Sequence, residues 1–296
     1  MPHFTPLNIE LTLQNTMRYP RILTASFACS LLVGSAFAQT TYTLNTAGSI
    51  QNADVWSSDG IDYTLSALTP SSADTFIIDG TSTATASAGS NFDLGGAKLN
   101  LSNGVAFNLG SQELTNMEVN LTGASTFLIT NTNARINTGF VLNYDGSGIS
   151  ESTSSGNRFV MKGGEVNLNS GGISVETLTK SKSGSAFNLN GGDLLFENYE
   201  FGNSPKDDSI NFTSLASTMT YTGSTIATSA TDIAYFESLA TSGFLNLNGA
   251  QVASTAFKYE FKDGIGLEIS IIPEPGTYAV LAGFVILGSI ILRRRR

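Results

Sequence analysis

The chain has 296 residues, of which 13% are charged, with a formal net charge of −9. That length suits one large all-β domain or two smaller domains, each able to bury a core. A pI near 4.6 argues against a nucleic-acid partner, because phosphate binding requires clustered Lys and Arg.

Both ends carry targeting features, which distort composition and are set aside before the fold is read. The first 16 residues form an upstream extension. From Met17 onward, Arg18 and Arg21 supply a basic n-region and Ile22 to Phe37 an apolar h-region. Ala36-Phe37-Ala38 is an A-x-A cleavage site before Gln39. Residues 1–38 are therefore expected to be an extension and signal helix removed by a signal peptidase, leaving Gln39 as the mature N-terminus. A lipoprotein signal would use Cys29, but Ser26-Phe27-Ala28 lacks the aliphatic residue expected three positions before that cysteine.

His3 and Cys29 are the only histidine and cysteine, and both precede Gln39. A chain cut there has no disulfide, no Cys nucleophile, no Ser-His-Asp triad, no His or Cys zinc site and no haem ligand of those types. Neither a cofactor nor a metal is expected. From Gln39 to Ser270, nine Lys/Arg stand against 22 Asp/Glu, a net of −13 that favours solubility and repels anionic polymers.

Residues 39–270 read as one extracellular all-β domain, in which short β-rich runs alternate with Gly, Asn, Ser and Asp clusters and no amphipathic helix of convincing length occurs. Positions 40–80, with Trp56 and the run Thr75-Phe76-Ile77-Ile78-Asp79-Gly80, differ in pattern from the rest of the domain. They are expected to form the first coil and a cap, since an open solenoid end needs a distinct terminal unit.

An apolar-Asn-Leu phrase then recurs at Leu99-Asn100-Leu101, Val119-Asn120-Leu121, Val166-Asn167-Leu168, Phe187-Asn188-Leu189 and Leu245-Asn246-Leu247. Asn100 and Asn120 are 20 residues apart and Asn167 and Asn188 are 21 apart, about one coil of a parallel β-helix. Strand alternation puts the apolar members on one face and the asparagines on the other. Glycine pairs at Gly95-Gly96, Gly163-Gly164, Gly171-Gly172 and Gly191-Gly192 supply the corners. A right-handed parallel β-helix is the expected fold. The alternative is an antiparallel β-sandwich, which uses the same alternation but pairs strands through hairpins. At the end of the domain, Phe261-Lys262-Asp263-Gly264 followed by alternating Leu267, Ile269 and Ile271 predicts a closing hairpin.

Candidate sites are sparse. Asn100, Asn120, Asn167, Asn188 and Asn246 form an outward row that either binds sugar hydroxyls or is simply solvated. Trp56, Tyr63 and Tyr144 offer rings for stacking on a saccharide, with packing in the cap as the plainer role of Trp56. Asp145-Gly146-Ser147-Gly148 and Asp207-Asp208-Ser209 carry oxygen ligands suited to calcium but lack EF-hand or nonapeptide spacing, so turns are the simpler account. Catalysis could rest only on carboxylates, such as Asp193, Glu197 and Glu200 or Asp207 with Asp208. Without a defined cleft such pairs are not a site, so no enzyme is expected. Asn120-Leu121-Thr122 and Asn211-Phe212-Thr213 are sequons by pattern alone, and the run from Thr81 to Ser90 is an O-glycan candidate by composition.

The tail, 271–296, joins three parts: the motif Pro273-Glu274-Pro275, an apolar span over 277–292, and Arg293, Arg294, Arg295 and Arg296. The prolines fix their own φ and push the preceding residues toward extended backbone, which makes an accessible hinge. The fifteen residues from Tyr278 to Leu292 give about 22 Å of transmembrane helix, short of the roughly 30 Å hydrocarbon core. Terminal arginines stay on the cytoplasmic side, so the rest of the chain lies across the membrane, in agreement with the signal peptide.

This combination resembles the PEP-CTERM sorting domain of Gram-negative bacteria, over about a tenth of the chain. The resemblance implies an exosortase as processing partner, transient anchoring in the inner membrane, and association with exopolysaccharide and biofilm material. The β-strand repeats resemble, more loosely, those of autotransporter passengers. The expected function is a structural or adhesive surface protein, with a carbohydrate-binding or polysaccharide-active domain as the alternative.

Overall fold

The computed structural model describes residues 39–273 apart from 45–47, 50–55, 59–60, 64, 66–67, 81–84, 88–91, 109–112, 129–133, 152–157, 181–183, 202–207 and 224–229. The expected signal helix, with Ala36 and Ala38, and the expected transmembrane helix, with Glu274, Pro275 and Arg293 to Arg296, lie outside the described residues. Among the described residues no helix is long and apolar enough to cross a membrane.

Alternation decides what each strand buries. Lys98–Ser102 sends Leu99 and Leu101 into the core and leaves Lys98, Asn100 and Ser102 outward. Met117–Gly123, one coil later, buries Met117, Val119 and Leu121 in the same way. The two strands run parallel and in register, with Leu99 beside Val119, Asn100 beside Asn120 and Leu101 beside Leu121. A one-residue slip would turn each apolar set outward, so burial itself enforces this register.

The pattern continues along one face of the molecule. Thr41–Leu44, Thr75–Asp79, Lys98–Ser102, Met117–Gly123, Phe140–Glu151, Glu165–Lys180, Ser185–Leu189, Asp208–Phe212 and Leu245–Leu247 stack in chain order, each parallel to the one before. Sandwich strands joined by hairpins would alternate in direction; these do not, so the domain is a parallel β-solenoid.

A second face carries Gly48–Ser49, Thr85–Ser87, Ala106–Asn108 and Thr126–Leu128. Later coils continue it at the equivalent position with residues 172–175, 193–196 and Thr218–Tyr221. Phe92–Asp93, Glu113–Thr115, Ala134–Asn137, Arg158–Lys162 and residues 177–180 and 198–201 make the third. Strand Glu165–Lys180 serves all three faces by bending, and Gly171 supplies a positive φ of 64° at its first corner.

Inside the coils, side chains stack in continuous rows. Leu99, Val119, Leu142, Val166, Phe187, Ile210 and Leu245 follow one another at full burial. A column of rings crosses the interior from Phe107 through Phe127 and Phe159 to Phe187, with centroids 6.2, 5.8 and 6.3 Å apart and the last two contacts edge-on.

Antiparallel strands close both ends. Trp56–Ser58 lies against Thr41–Leu44 and pairs with Ile61–Tyr63, while the ring of Trp56, 1% exposed, meets Phe76 edge-on at 4.9 Å. The expected hairpin is Phe257–Lys262 with Gly266–Ile271, and its second strand also pairs antiparallel with Thr218–Tyr221. These antiparallel strands end the parallel stack with terminal units distinct from the coils.

One element was not expected: helix α1, Ala230–Thr241. It lengthens the coil that ends at Leu245–Leu247 and buries Phe236, Leu239 and Ala240, a three-to-four-residue spacing that carries the helical signal in only one short stretch. Gly243, at φ +86°, terminates it: Phe244 N donates to Leu239 O at 2.9 Å and Gly243 N to Ala240 O at 3.1 Å.

Candidate functional site: an asparagine ladder and a polar groove

The stacked face places one asparagine per coil at the same register position. Asn120 donates to Asn100 at 2.9 Å, Asn143 to Asn120 at 2.8 Å, and Asn167 to Asn143 at 2.9 Å. Asn188 continues to Asn167 at 2.8 Å and Asn211 to Asn188 at 3.2 Å. In every bond Nδ2 of the later coil donates to Oδ1 of the earlier one, so the amide dipoles align head to tail and strengthen one another. The ladder ends where Gly249 N donates to Asn211 Oδ1 at 2.7 Å.

Four of the five asparagines singled out in the sequence, Asn100, Asn120, Asn167 and Asn188, belong to this ladder; Asn246 does not. It pairs in register with Asn211, but its amide nitrogen bonds Gly243 O at 3.1 Å and Leu245 O at 3.2 Å once the amide is oriented to donate. Two members were missed, Asn143 and Asn211, because Tyr144 and Phe212 replace the leucine of the repeated phrase. Apolar-Asn-apolar would have found both.

Second amide hydrogens find carboxylates. Glu118 Oε1 accepts from Asn120 at 3.2 Å and Asn143 at 3.4 Å, and Glu118 also pairs with Lys98 at 3.1 Å. Glu165 accepts from Asn188 at 3.2 Å. Asn120, Asn143 and Asn188 thus spend both amide hydrogens on neighbours, Asn167 and Asn211 spend one each, and Asn100 only accepts.

On the third face Glu113 accepts from Arg135 at 2.7 Å and Asn137 at 3.3 Å, with Lys162 at 3.8 Å. The Arg135 hydrogen bond, followed by that from Asn137, holds its carboxyl below the usual range.

A groove of about 530 Å³ opens where the third face reaches residues 198–201. Six of its seven residues come from three adjacent strands in register, with Arg158 beside Thr177 beside Asn198 and, two residues on, Thr179 beside Glu200; Tyr221 comes from the next strand, Thr218–Tyr221. Arg158 grips Glu200 with two bonds, at 3.0 and 3.4 Å, and Thr179 Oγ1 donates to Glu200 at 3.4 Å. Tyr199 and Tyr221 line the same groove, with Glu176. Behind them lies an aromatic cluster held by α1, in which Tyr199 stacks on Tyr235 at 4.6 Å and meets Tyr221 at 5.5 Å. Burial, then the neighbouring phenols Tyr235 and Tyr221 and the Asp232 carboxylate, pushes the Tyr199 hydroxyl well above its ordinary pKa; burial, then Asp232 and Glu197, raises that of Tyr221. Both stay neutral donors throughout the physiological range.

The remaining candidates separate. Tyr144 is fully buried in the core row between Leu121 and Leu168, which removes it from any stacking surface and corrects that expectation; its ring fits inside because Gly146 leaves room for the phenol. Trp56 packs in the N-terminal cap, and half-buried Tyr63 meets Tyr42 edge-on at 5.9 Å. Asp145 Oδ1 accepts from Ser170 at 2.5 Å, and Asp193 accepts from Thr218 N and Oγ1 at 3.1 and 2.7 Å, so both carboxylates knit one coil to the next. Asp207 lies outside the described residues, as does most of the run from Thr81 to Ser90. Among the described residues no three acidic, His or Cys side chains gather to hold a metal. Of the acids weighed for catalysis that lie among the described residues, Glu200 alone lines the groove. No family model, no curated protein and no solved structure matches the chain.

Proposed function

We propose that the protein is an exported, non-enzymatic structural or adhesive component of a Gram-negative cell surface or extracellular matrix, delivered through its Pro273-Glu274-Pro275 tail. The observation that carries the reading is the asparagine ladder. An unbroken run of amide hydrogen bonds along stacked coils, closed at both ends by antiparallel strands, makes a stiff body whose outer face is spent on self-stabilisation, as a scaffold requires. Right-handed winding, the sense that parallel crossovers adopt, completes this picture.

The tail follows the body without a spacer. The last hairpin strand ends at Ile271, and Ile272 N donates to Ala256 O at 2.9 Å, immediately before Pro273. An exosortase-type protease would therefore meet the motif at the edge of a folded domain, with the apolar span and four arginines holding it at the inner membrane before processing. Exopolysaccharide in a biofilm is the environment such a protein would enter.

Intact mass spectrometry of the protein from its native envelope, with and without the sorting protease, tests the reading. The expected species starts at Gln39 and lacks the residues after the motif only when the protease is present. Persistence of the span and its arginines in both strains would reduce the protein to an ordinary membrane-anchored one.

A further inference from the structure

We propose that the groove between Arg158, Asn198, Glu200, Tyr199 and Tyr221 binds an uncharged glycan segment, and that this groove, not the asparagine ladder, is the contact through which the solenoid holds matrix polymer. The proposal rests on the matrix reading above.

Contrast between the two polar surfaces motivates it. Ladder amides are engaged by their neighbours, whereas the amide of Asn198 is exposed and makes no hydrogen bond among the described residues. Around it stand a guanidinium, two carboxylates and two phenol hydroxyls, held by the pairing of four strands rather than by a loop. Planar amide, guanidinium and carboxylate groups each present two hydrogen-bonding positions side by side, the arrangement that neighbouring sugar hydroxyls match. Tyrosine adds an apolar ring with a polar tip, suited to the C–H face and the hydroxyl rim of a sugar. A volume of about 530 Å³ lies inside the roughly 300–1,000 Å³ of small-molecule sites.

Charge selects the class of glycan. Two carboxylates, Glu176 and Glu200, face one guanidinium, and Arg158 is already paired with Glu200. The stretch from Gln39 to Ser270 adds its net of −13. A uronate or sulfated polymer would meet repulsion at short and long range. A peptide would find no deep apolar pocket for an anchoring side chain, because most of the lining is polar.

The test is isothermal titration of the full chain, purified in detergent, with a panel of neutral hexose tetrasaccharides and with oligogalacturonate as the anionic control. At least one neutral tetrasaccharide is expected to bind while oligogalacturonate does not. Asn198→Ala and Arg158→Gln, both at exposed positions, should each weaken binding about tenfold, the scale of one lost hydrogen bond to a ligand, without moving the thermal midpoint. Failure of every neutral glycan to bind, unchanged affinity in both variants, or tighter binding of oligogalacturonate would each overturn the proposal. Its failure is separable from that of the sorting reading, since tail processing is read by mass and groove binding by heat.

Discussion

Gly146 makes the space that the Tyr144 ring fills: a Cβ at position 146 would stand 2.4 Å from both the Cζ and the hydroxyl oxygen of Tyr144. Tyr144 occupies a core row flanked by Leu121 and Leu168. The Asp-Gly-Ser-Gly segment that looks like a cation loop in the sequence is thus a packing accommodation for a tyrosine where neighbouring coils have leucine. Gly146→Ala is expected to destabilise the fold by about 1–3 kcal/mol through overpacking. Tyr144→Leu removes the obstructing ring, so the double variant should be clearly more stable than the two single losses added together. Urea unfolding of the four chains measures this, and strict additivity would disprove the coupling.

Within the ladder, position should set the cost of a deletion. Asn167 donates to Asn143 and accepts from Asn188, whereas Asn100 only accepts, from Asn120. At about 1 kcal/mol net per hydrogen bond, Asn167→Ala should cost about 2 kcal/mol and Asn100→Ala about 1 kcal/mol. Equal costs in denaturant titrations would mean that the amides act independently of their stacking.

Much of this ladder was legible because a strand's two-residue period survives in sequence: Leu99-Asn100-Leu101 states which side is core and which is outward. The parallel stacking follows from the coil-length spacing of such phrases. Requiring leucine after the asparagine hid Asn143 and Asn211, and the same phrase admitted Asn246, whose amide the nearby turn at Asn248-Gly249 replaces with a backbone N–H. The groove could not be read at all. Arg158 and Glu200 are 42 residues apart and meet only because two coils bring their strands into register through Thr177 and Thr179. Helix α1 was missed because its buried face amounts to little more than Phe236, Leu239 and Ala240.

Acid should loosen the third face in a small, assignable way. Glu113 has its pKa depressed, first by the Arg135 hydrogen bond and then by that of Asn137. A carboxylate more acidic in the folded state contributes stability that is present above its unfolded pKa and is lost as the pH falls through its folded one. The side chains of Arg135 and Glu113 are 40% and 31% exposed, so the contribution is held to a few tenths of a kcal/mol by solvent and falls further in high salt. Glu113→Gln should therefore lose less stability than the parent between neutral and acid pH at low salt, a difference that vanishes at high salt. An identical acid response in both chains would show that this cluster does not couple to folding.

Alkali tests the closing hairpin. The Tyr259 hydroxyl is buried and finds no hydrogen-bond partner among the described residues. Burial, with a smaller push from Glu237, raises its pKa from 10.0 to about 12. A group whose folded pKa is raised favours the folded state fully below its unfolded pKa, and that preference is lost as the pH climbs from about 10 towards 12. Tyr259→Phe keeps the ring against the core and removes the unsatisfied oxygen, so it should stabilise the domain by about 1 kcal/mol at neutral pH. It should also flatten the decline in alkali, leaving the part due to other groups, among them Tyr199, Tyr221 and Tyr235, whose pKa values burial also raises. Urea midpoints of parent and variant at neutral pH and at about pH 11.5 decide the matter. A variant less stable than the parent at neutral pH would mean that the hydroxyl has a partner after all, and parallel declines in alkali would mean that Tyr259 ionises as readily folded as unfolded.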